Sequence, residues 1–456
     1  MTGAVAGGSS PAGGKRRSPE PSRPLALAVA VACAGTLVTG IGYAAWHATP
    51  PSAERGAAEQ SEQSEQSGRT GSSGSARPVR TLDLTAVNAI LDRRARALRA
   101  GDRAGFLAAV GPAFRPRQGA LFDDLRKLPL AIWRQRADPA RPMAEQAAGP
   151  ADWTVRVTLR YRLRGFDRTD VEATQYLTFA RRHATDTGGG AGLTITGDGA
   201  AQGLLDDPQI WDGGRLFVVA GRRSLVIGAG AQPARLRQIA ARLDRAVPAV
   251  SAVVGGDWAR RAVALVPATP EQAAALAGGG QSLRELAALA TVTRGAAGAP
   301  GNDRIVISPA GYPKLNEIGR HVVLTHELTH VATHGVADTR TPVWLIEGLA
   351  DYVGYKGLNV PVPSAARELR REVRAGRLPA ELPGEKDFAG ATGRLPEVYE
   401  EAWLACRMVA ERYGEDRLVR LYRTAGTRAD ALRRVLGLDT AEFTAMWRDY
   451  LRRELR

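Results

Sequence analysis

The most specific pattern in the chain is Val-Val-Leu-Thr-His-Glu-Leu-Thr-His-Val-Ala at residues 322–332. On a helix, His326 and His330 lie one turn apart, so both imidazoles can reach one cation, and Glu327 lies beside them. Two neutral ligands leave a metal ion strongly Lewis acidic, and the adjacent carboxylate can accept a proton from water whose pKa the metal has lowered to about 7. The pattern therefore predicts a helix that carries a metal site and a general base.

A chance match is the alternative, because a five-residue pattern with three fixed positions recurs in large sequence sets. Against chance, three of the six histidines fall within nine residues, at His326, His330 and His334. The positions around the motif are uncharged, as a buried active-site helix requires. A second segment also supplies what the first one lacks.

This second segment is Thr-Pro-Val-Trp-Leu-Ile-Glu-Gly-Leu-Ala-Asp-Tyr at residues 341–352. Thr341 as the N-cap and Pro342 at the first helical position predict the start of a helix. Gly335 is expected to end the preceding helix. The two segments therefore predict two consecutive helices with a short connection.

Glu347 and Asp351 are four residues apart and share one face of this second helix. Glu347 can be the third zinc ligand, and Asp351 can accept the outer N–H of a ligating histidine, which fixes the tautomer and angle of the ring. Two such carboxylates usually mark a solvated helix face. Here the neighbouring residues are mostly apolar and predict a buried helix, where unpaired carboxylates are costly.

In these segments the chain resembles the gluzincin peptidases of clan MA, and most closely the peptidase MA-like families. The likeness extends over about residues 213–456 and rests on four stretches, at 326–330, 344–352, 398–403 and 411–414. The resemblance implies a zinc peptidase fold with Zn²⁺ held by His326, His330 and Glu347, and with Glu327 as the base. It implies no particular substrate.

His334 extends the histidine row but cannot complete the metal site. A helix rises 1.5 Å per residue, so His326 and His334 lie about 12 Å apart along the axis and cannot both reach one zinc ion. The metzincin pattern is excluded, since position 333 is Thr and position 336 is Val. His334 is therefore either a rim residue or a donor on the substrate side.

An oxyanion donor is expected beside the metal, and the candidates are Tyr352, Tyr355, Tyr399 and His334. Tyrosines on helices are more often packing residues. Tyr399 is the preferred catalytic candidate, because of its position in the family and its donor chemistry.

The N-terminal 80 residues predict a membrane anchor. Residues 1–24 are rich in Gly, Ser, Pro and basic residues and predict a disordered cytoplasmic tail. Residues 25–46 carry no charge, are long enough to span a bilayer, and have their flanking cations on the near side. Residues 47–80 are polar and predict a flexible linker. The remaining chain is thus expected outside the cell membrane, held by a single-pass helix.

Two alternatives to this anchor remain open. A signal peptide cleaved near residues 44–48 would also have a basic start and an apolar run, although this run is longer than the usual 7–15 residues. A lipoprotein would need Cys33 at the end of the apolar stretch, and apolar residues continue beyond it. The length of the run favours the uncleaved helix.

Composition excludes some partners. The net charge of +15 would suit nucleic acid, but the basic residues are nearly all arginines scattered along the chain, so nucleic-acid binding is not expected. Cys33 and Cys406 are predicted to lie in different compartments, so they form no disulfide. Cys406 sits in a helical apolar pattern and is expected to be a buried thiol.

Two folded domains are expected after the linker, both of the α+β class. Residues 81–212 have helical spacing first and alternating strands afterwards, and over 81–200 this order resembles the small cone-shaped SnoaL-like or nuclear transport factor 2-like superfamily. That fold decides nothing about chemistry. Residues 213–456 predict a zincin-like domain with strands early and helices late. Residues 304–308 are expected to be an edge strand beside the cleft, able to pair with an extended substrate.

The leading hypothesis is thus a membrane-anchored, extracytoplasmic zinc metallopeptidase that hydrolyses peptide or protein substrates. One alternative is a catalytically inactive, membrane-tethered binding or sensory protein that retains a structural zinc. Another is zinc-dependent hydrolysis of a non-peptide amide in the cell envelope. The oligomeric state is not predicted.

Overall fold

The computed structural model describes residues 82–138, 152–182, 192–279, 286–296, 299, 301–389 and 393–456. The predicted tail, membrane helix and linker, at 1–24, 25–46 and 47–80, lie outside the described residues, as does Cys33. Within the described part, none of the helices is both long enough and apolar enough to cross a membrane. Cys406 is buried, as predicted.

The first of the described residues fold as three helices followed by an antiparallel meander. The helices are α1 (Leu84–Ala100), α2 (Arg103–Leu107) and α3 (Arg115–Leu125). The strands, in sheet order, are β1 (Leu130–Ala137), β2 (Asp152–Leu163), β3 (Val171–Arg182) and β4 (Gly192–Asp198). Helices before a meander is the predicted order. The resemblance to the SnoaL-like superfamily stays a prediction.

Within the described residues, the second sheet has five strands of mixed direction. They are β5 (Leu216–Ala220), β6 (Ser224–Ala229), β7 (Ala262–Val266), β8 (Ala288–Val292) and β9 (Asp303–Ile307). Their order across the sheet is β5-β6-β7-β9-β8. The central strands β6, β7 and β9 are parallel, whereas β5 and β8 pair antiparallel at the two edges.

The prediction that residues 304–308 form an edge strand is wrong. These residues belong mainly to β9, which lies between β7 and β8. The reason is visible in the side chains, since Ile305, Val306 and Ile307 are all fully buried, as in a parallel strand covered on both faces. The edge strand is instead β8, whose alanine-rich sequence carries a weak strand signal.

Helices dominate the remainder of the chain, so the predicted α+β class and the order of strands early and helices late are confirmed. The helices are α4 (Pro233–Val254), α5 (Pro270–Leu276), α6 (Glu317–Thr333), α7 (Val343–Tyr355), α8 (Val362–Ala365), α9 (Arg367–Arg374), α10 (Glu385–Phe388), α11 (Leu395–Tyr413), α12 (Glu415–Ala425), α13 (Ala431–Leu436) and α14 (Thr440–Leu455). Helix α6 packs on α4 and α7, and α7 packs on α11.

Both predicted helix boundaries near the motifs differ slightly from the boundaries in the structure. Helix α6 ends one residue before His334, which itself adopts a left-handed conformation with φ 55° and caps the helix in place of Gly335. Helix α7 begins at Val343, so Thr341 is not its N-cap. The hydroxyl of Thr341 donates instead to Oδ2 of Asp338 at 2.5 Å, which ties the connection between the two helices together.

Alternate residues of the second sheet face two different cores. One face, with Val226, Ala264 and Ile305, packs on the helices. The other face, with Leu225 and Val306, joins the same apolar core as the meander and α1. The period of two along each strand explains this division. A common core therefore crosses the predicted domain boundary at 212/213.

A buried ion pair reinforces this contact. Nη2 of Arg304 on β9 lies 2.7 Å from Oδ1 of Asp167 in the turn after β2, and their side chains are 3% and 0% exposed. Beside them, Oδ1 of Asn302 accepts the backbone N–H of Arg168 at 2.9 Å, and Nδ2 of Asn302 donates to the carbonyl of Thr169 at 2.9 Å. The turn after β2 is thus fixed to the strand beside β8.

Candidate metal centre

Helices α6 and α7 bring three potential ligands to one point. The Nε2 atoms of His326 and His330 lie 2.9 Å apart. Oε2 of Glu347 lies 3.2 Å from Nε2 of His326 and 3.5 Å from Nε2 of His330. All three side chains are 1% exposed, and their ligand atoms lie within 4.8 Å of one another. These residues are therefore close enough to hold one metal ion.

A close helix contact places Glu347 at this point. Gly348 lies against α11, where a methyl group on its Cα would stand 2.3 Å from the carbonyl oxygen of Ala402 and 2.8 Å from Sγ of Cys406. Any larger residue at position 348 would push α7 away from α11. The Glu-Gly pair therefore combines a ligand with the small residue that lets its helix pack.

Asp351 orients one of the two histidines. Its Oδ1 lies 2.7 Å from Nδ1 of His326, and both groups are buried. An acceptor at Nδ1 keeps the proton there and leaves the lone pair on Nε2, the atom that faces His330 and Glu347. Asp351 therefore lies beside the outer nitrogen of His326.

Glu327 lies on the same helix and reaches a different neighbour. Its side chain is buried, and Oε2 accepts the backbone N–H of Ala290 in the edge strand β8 at 2.7 Å. Burial raises the pKa of Glu327, and His326 and His330 only partly offset the effect. A carboxylate with a raised pKa beside a potential metal site has the properties of a general base.

The electrostatics of the site favour an ionised Glu347 beside a positively charged His326. Burial favours a neutral Glu347, but the imidazoles of His330 and His326 outweigh burial and hold the pKa of Glu347 well below its usual range. Burial alone would lower the pKa of His326, yet Asp351 and Glu347 raise it well above its ordinary value. The pocket therefore keeps Glu347 as an anion and stabilises positive charge, which suits a cation.

The four candidates for the oxyanion donor differ in what their side chains contact. Tyr399 is buried, with its ring centroid 6.3 Å from that of His326 and its ring in a T-shaped contact with Phe388. The hydroxyl of Tyr352 donates to Oε2 of Glu415 at 2.9 Å. The ring of Tyr355 packs against Trp403, and Nδ1 of the half-exposed His334 lies 3.8 Å from Oδ2 of Asp303.

The donor set fits zinc, because two imidazole nitrogens and one carboxylate form a common catalytic zinc set. A family model described as a peptidase of plants and bacteria matches residues 289–368. This stretch of the chain is similar to a peptidase family. It runs from β8 into α9 and contains all of the predicted site residues except Tyr399. No curated protein matches the chain.

Sequence reasoning missed the contribution of the edge strand. Ala290 acts through its backbone N–H, so no side-chain chemistry marks it. The matched peptidase-like segment begins at 289, inside β8, which places the strand and the histidine helix in one unit. In the sequence, β8 could have been recognised only as the strand that comes before β9 and pairs with it antiparallel.

Proposed function

We propose that this protein is a zinc-dependent metallopeptidase, and that residues 213–456 form a gluzincin-like unit. The observation that carries the proposal is the buried convergence of His326, His330 and Glu347, with Asp351 on the outer nitrogen of His326. The similarity of residues 289–368 to a peptidase family supports it. An experimental structure with metal would test the gluzincin assignment, which fails if the ligands differ from these three.

The chemistry follows from the positions of the side chains. His326, His330 and Glu347 would hold the ion, and Asp351 would keep the lone pair of His326 on Nε2. Zinc, when bound, supplies Lewis acidity towards the peptide carbonyl and lowers the pKa of water. Glu327 then takes the proton from water on its carboxylate and later delivers it to the leaving nitrogen. Tyr399 is the proposed donor to the developing oxyanion, because its ring lies beside that of His326, with the two centroids 6.3 Å apart.

The proposed substrate site is the outer edge of β8. The backbone N–H of Thr293 donates to the carbonyl of Asn302, and that of Ser308 donates to the carbonyl of Ala287. Bonded and non-bonded pairs alternate in an antiparallel ladder, so Ala290 and Val292 direct their backbone groups away from β9. An extended peptide can pair with this edge by strand addition, beside Glu327.

Two glutamate variants test the roles. Glu347→Ala removes an anionic ligand, so zinc content and peptidase activity should fall together. Glu327→Gln keeps all three ligands, so zinc should remain near one per chain while turnover falls about 10²–10⁴-fold. Zinc analysis and digestion of a peptide library with the full-length chain provide both readouts.

The outcomes separate the competing functions. Loss of zinc in Glu327→Gln together with full zinc in Glu347→Ala would show that the two roles are wrongly assigned. A wild-type chain that is fully loaded with zinc but cleaves no peptide would support the inactive binding or sensory protein.

We further propose that the chain is anchored in the cell membrane through residues 25–46, with its folded part outside. The uncharged run and the cations on its near side support this proposal. Protease added to intact cells should degrade the folded part. A folded part that stays protected until the cells are lysed would contradict the external location.

A further inference from the structure

Just beyond the last residue of β8, the outer edge of this strand is occupied by the start of β3 from the meander. The backbone N–H of Glu172 donates to the carbonyl of Arg294 at 3.0 Å, and that of Ala296 donates to the carbonyl of Asp170 at 3.1 Å. The bridge between these two bonds is antiparallel. The start of β3 is therefore paired with the continuation of β8 in the way that an added strand would be.

The alternation of residues puts this contact on the same edge as the proposed substrate site. Arg294 follows Ala290 and Val292 at intervals of two, so its backbone groups point to the same outer side. The carbonyl of Arg294 is bonded to β3, and the N–H of Ala290 is bonded to Glu327. The outward-facing residue between these two is Val292.

Strand β3 turns away from β8 immediately after this contact. Two residues beyond Glu172, the N–H of Thr174 donates to Oδ2 of Asp207 at 2.7 Å, and the carbonyl of Thr174 accepts the N–H of Asp207 at 2.9 Å. Thr174 is thus bonded to the chain that follows β4 and not to β8. Val292 is correspondingly 37% exposed, and an exposed strand edge is a template for pairing with another chain.

The start of β3 is fixed firmly in this position. The buried ion pair between Arg304 and Asp167 holds the turn that leads into β3. Asn302 accepts a backbone N–H from this turn and donates to one of its carbonyls. Arg304 lies on β9, the strand that pairs with β8, and Asn302 directly precedes it. A peptide that reached Arg294 along the edge would therefore meet backbone that is fixed to the sheet itself.

Helix α6 runs beside the same stretch of β8. Glu327 contacts the strand at Ala290, whereas His334 at the end of the helix lies near Asp303, the ladder partner of Val292. The path along β8 from Ala290 to Val292 therefore follows α6 from the proposed general base towards its C-terminus. The exposed edge at Val292 and the proposed metal site lie along one helix.

The direction of β3 shows how a peptide in line with it would run. Because the start of β3 is antiparallel to residues 294–296, it points from Ala296 towards Arg294 and on towards Val292. A peptide that continues this line in the same direction begins beside Val292 and reaches Glu327 with its following residues. Its amino terminus then faces β3, and its carboxyl-terminal part extends past the proposed metal site.

We propose that the start of β3 is the end wall of the substrate cleft, so that this chain cleaves peptides close to their amino terminus. The inference rests on the proposed function, since it needs strand addition on β8. Residues 291–293 lie between the position bonded to Glu327 and the position bonded to β3. A substrate therefore has room for about three paired residues on the amino-terminal side of the cleaved bond. A longer amino-terminal side must leave the sheet and lose the hydrogen bonds of strand addition.

Peptide length tests the wall in the full-length wild-type chain. Synthetic peptides share one sequence that the library digestion finds cleaved, and one side or the other is lengthened from about two to about eight residues. Each lost hydrogen bond should lower kcat/KM by about two- to tenfold, so kcat/KM should fall about tenfold once the amino-terminal side exceeds about three residues. Lengthening of the carboxyl-terminal side should not lower kcat/KM.

Two proline substitutions should loosen the wall. Glu172→Pro and Ala296→Pro each delete one of the two N–H groups that join β3 to the segment after β8, and neither group belongs to the pairing of β3 with β2 or of β8 with β9. Each variant should raise kcat/KM for the long peptide relative to the short one. The unfolding midpoint is measured beside this ratio.

Matched controls keep the N–H at the same two positions. Glu172→Gln breaks the ion pair with Arg160, in which Nε of the arginine lies 3.0 Å from Oε2 of the glutamate, and Ala296→Ser changes only a small side chain. Both controls should keep the wild-type ratio between the long and the short peptide.

The outcomes separate the wall from the proposed function. Equal tolerance of lengthening on both sides, or a limit on the carboxyl-terminal side, would overturn the inference and leave the peptidase assignment intact. Proline variants that fold like the wild type and keep its ratio would also overturn it, because β3 would then not form the wall. If a proline variant fails to fold, the wild-type series decides alone. A zinc-loaded wild-type chain that cleaves no peptide would overturn the proposed function itself.

Discussion

Nδ1 of His326 and Oδ1 of Asp351 lie 2.7 Å apart, although the residues sit 25 positions apart on two different helices. The hydrogen bond therefore joins α6 to α7 at the same place where the potential ligands meet. One hydrogen bond thus both connects the two packed helices and orients the imidazole of His326. A substitution at Asp351 should therefore lower metal affinity more than it lowers activity.

Asp351→Asn should weaken zinc binding about 10–100-fold, because an amide presents a weaker acceptor to Nδ1 and no longer fixes the tautomer as firmly. Activity measured at saturating zinc should fall less than zinc affinity does. Chelator competition and a peptidase assay on the purified variant give the two numbers. Asp449→Asn, at an exposed residue paired with Arg452 on α14, serves as the charge-matched control. Equal zinc affinity in the two variants would contradict an orienting role for Asp351.

Ala290→Pro should lower activity without unfolding the protein. The N–H of Ala290 points away from β9, and proline is tolerated on an edge strand when the lost N–H is outside the ladder. This N–H lowers the pKa of Glu327, so its removal raises that pKa. The base is then ionised only at higher pH, and the acidic limb of the pH–rate profile should move upwards.

Val292→Pro is the control for this prediction. Val292 occupies the equivalent outward position two residues along β8 and is more than a third exposed. Its substitution should leave the acidic limb unchanged. If both proline variants shift the profile equally, the effect belongs to the strand as a whole and not to the bond to Glu327.

Removing one partner of the buried ion pair should destabilise the chain. Arg304→Met leaves the carboxylate of Asp167 buried without its cation, and such a loss costs about 3–5 kcal/mol. The exposed pair between Arg452 and Asp449 should contribute less than about 1 kcal/mol when Arg452→Ala breaks it. Denaturant unfolding of the two variants measures both values. Similar losses would mean that the pair at Arg304 is solvated in solution.

Stability should depend on the protonation of Glu400. Burial, with the facing carboxyl of Glu368, raises the pKa of Glu400 to about 9. The folded chain thus holds a proton that the unfolded chain releases near its ordinary pKa of about 4.3. The stability contributed by this proton is fully present below that value and is lost as pH rises through about 9.

Glu400→Gln should remove most of this pH dependence, and unfolding in denaturant from pH 5 to pH 9 measures it. Glu401 adds a smaller slope of the same sign, because burial raises its pKa to about 7. Glu385→Gln changes an exposed glutamate on α10 and should keep the wild-type slope. A slope that is undiminished in Glu400→Gln would show that Glu400 is ionised in the folded protein.

The sequence was sufficient for the parts of the site that follow from helical spacing. His326, His330, Glu347 and Asp351 converge as the intervals of four residues on two consecutive helices require. Such intervals are fixed by the 3.6-residue turn, so few tertiary arrangements are compatible with them. The order of helices and strands was predictable for the same reason. The helical period of 3.6 residues and the strand period of two residues both show in short stretches of sequence.

Features that depend on sheet order or distant packing were not predictable. The sequence of β9 is typical of a strand at the edge of a sheet as well as of one inside it. Only the burial of both its faces in the structure shows that it is internal. Tyr422 and Gly335 meet across 87 positions of sequence with no pattern to connect them. The left-handed turn at His334 also depends on how the chain leaves α6, whereas the glycine at 335 predicted the cap one residue later.

The core shared by the meander and the second sheet limits how the chain can be divided. A fragment beginning at 213 would expose Leu225, Ile227, Val263, Leu265 and Val306 to water together. Exposed apolar patches of this kind promote aggregation. Insolubility of such a fragment would therefore carry no information about its catalytic competence, because in the full chain the meander covers this apolar face of the second sheet and keeps it from water.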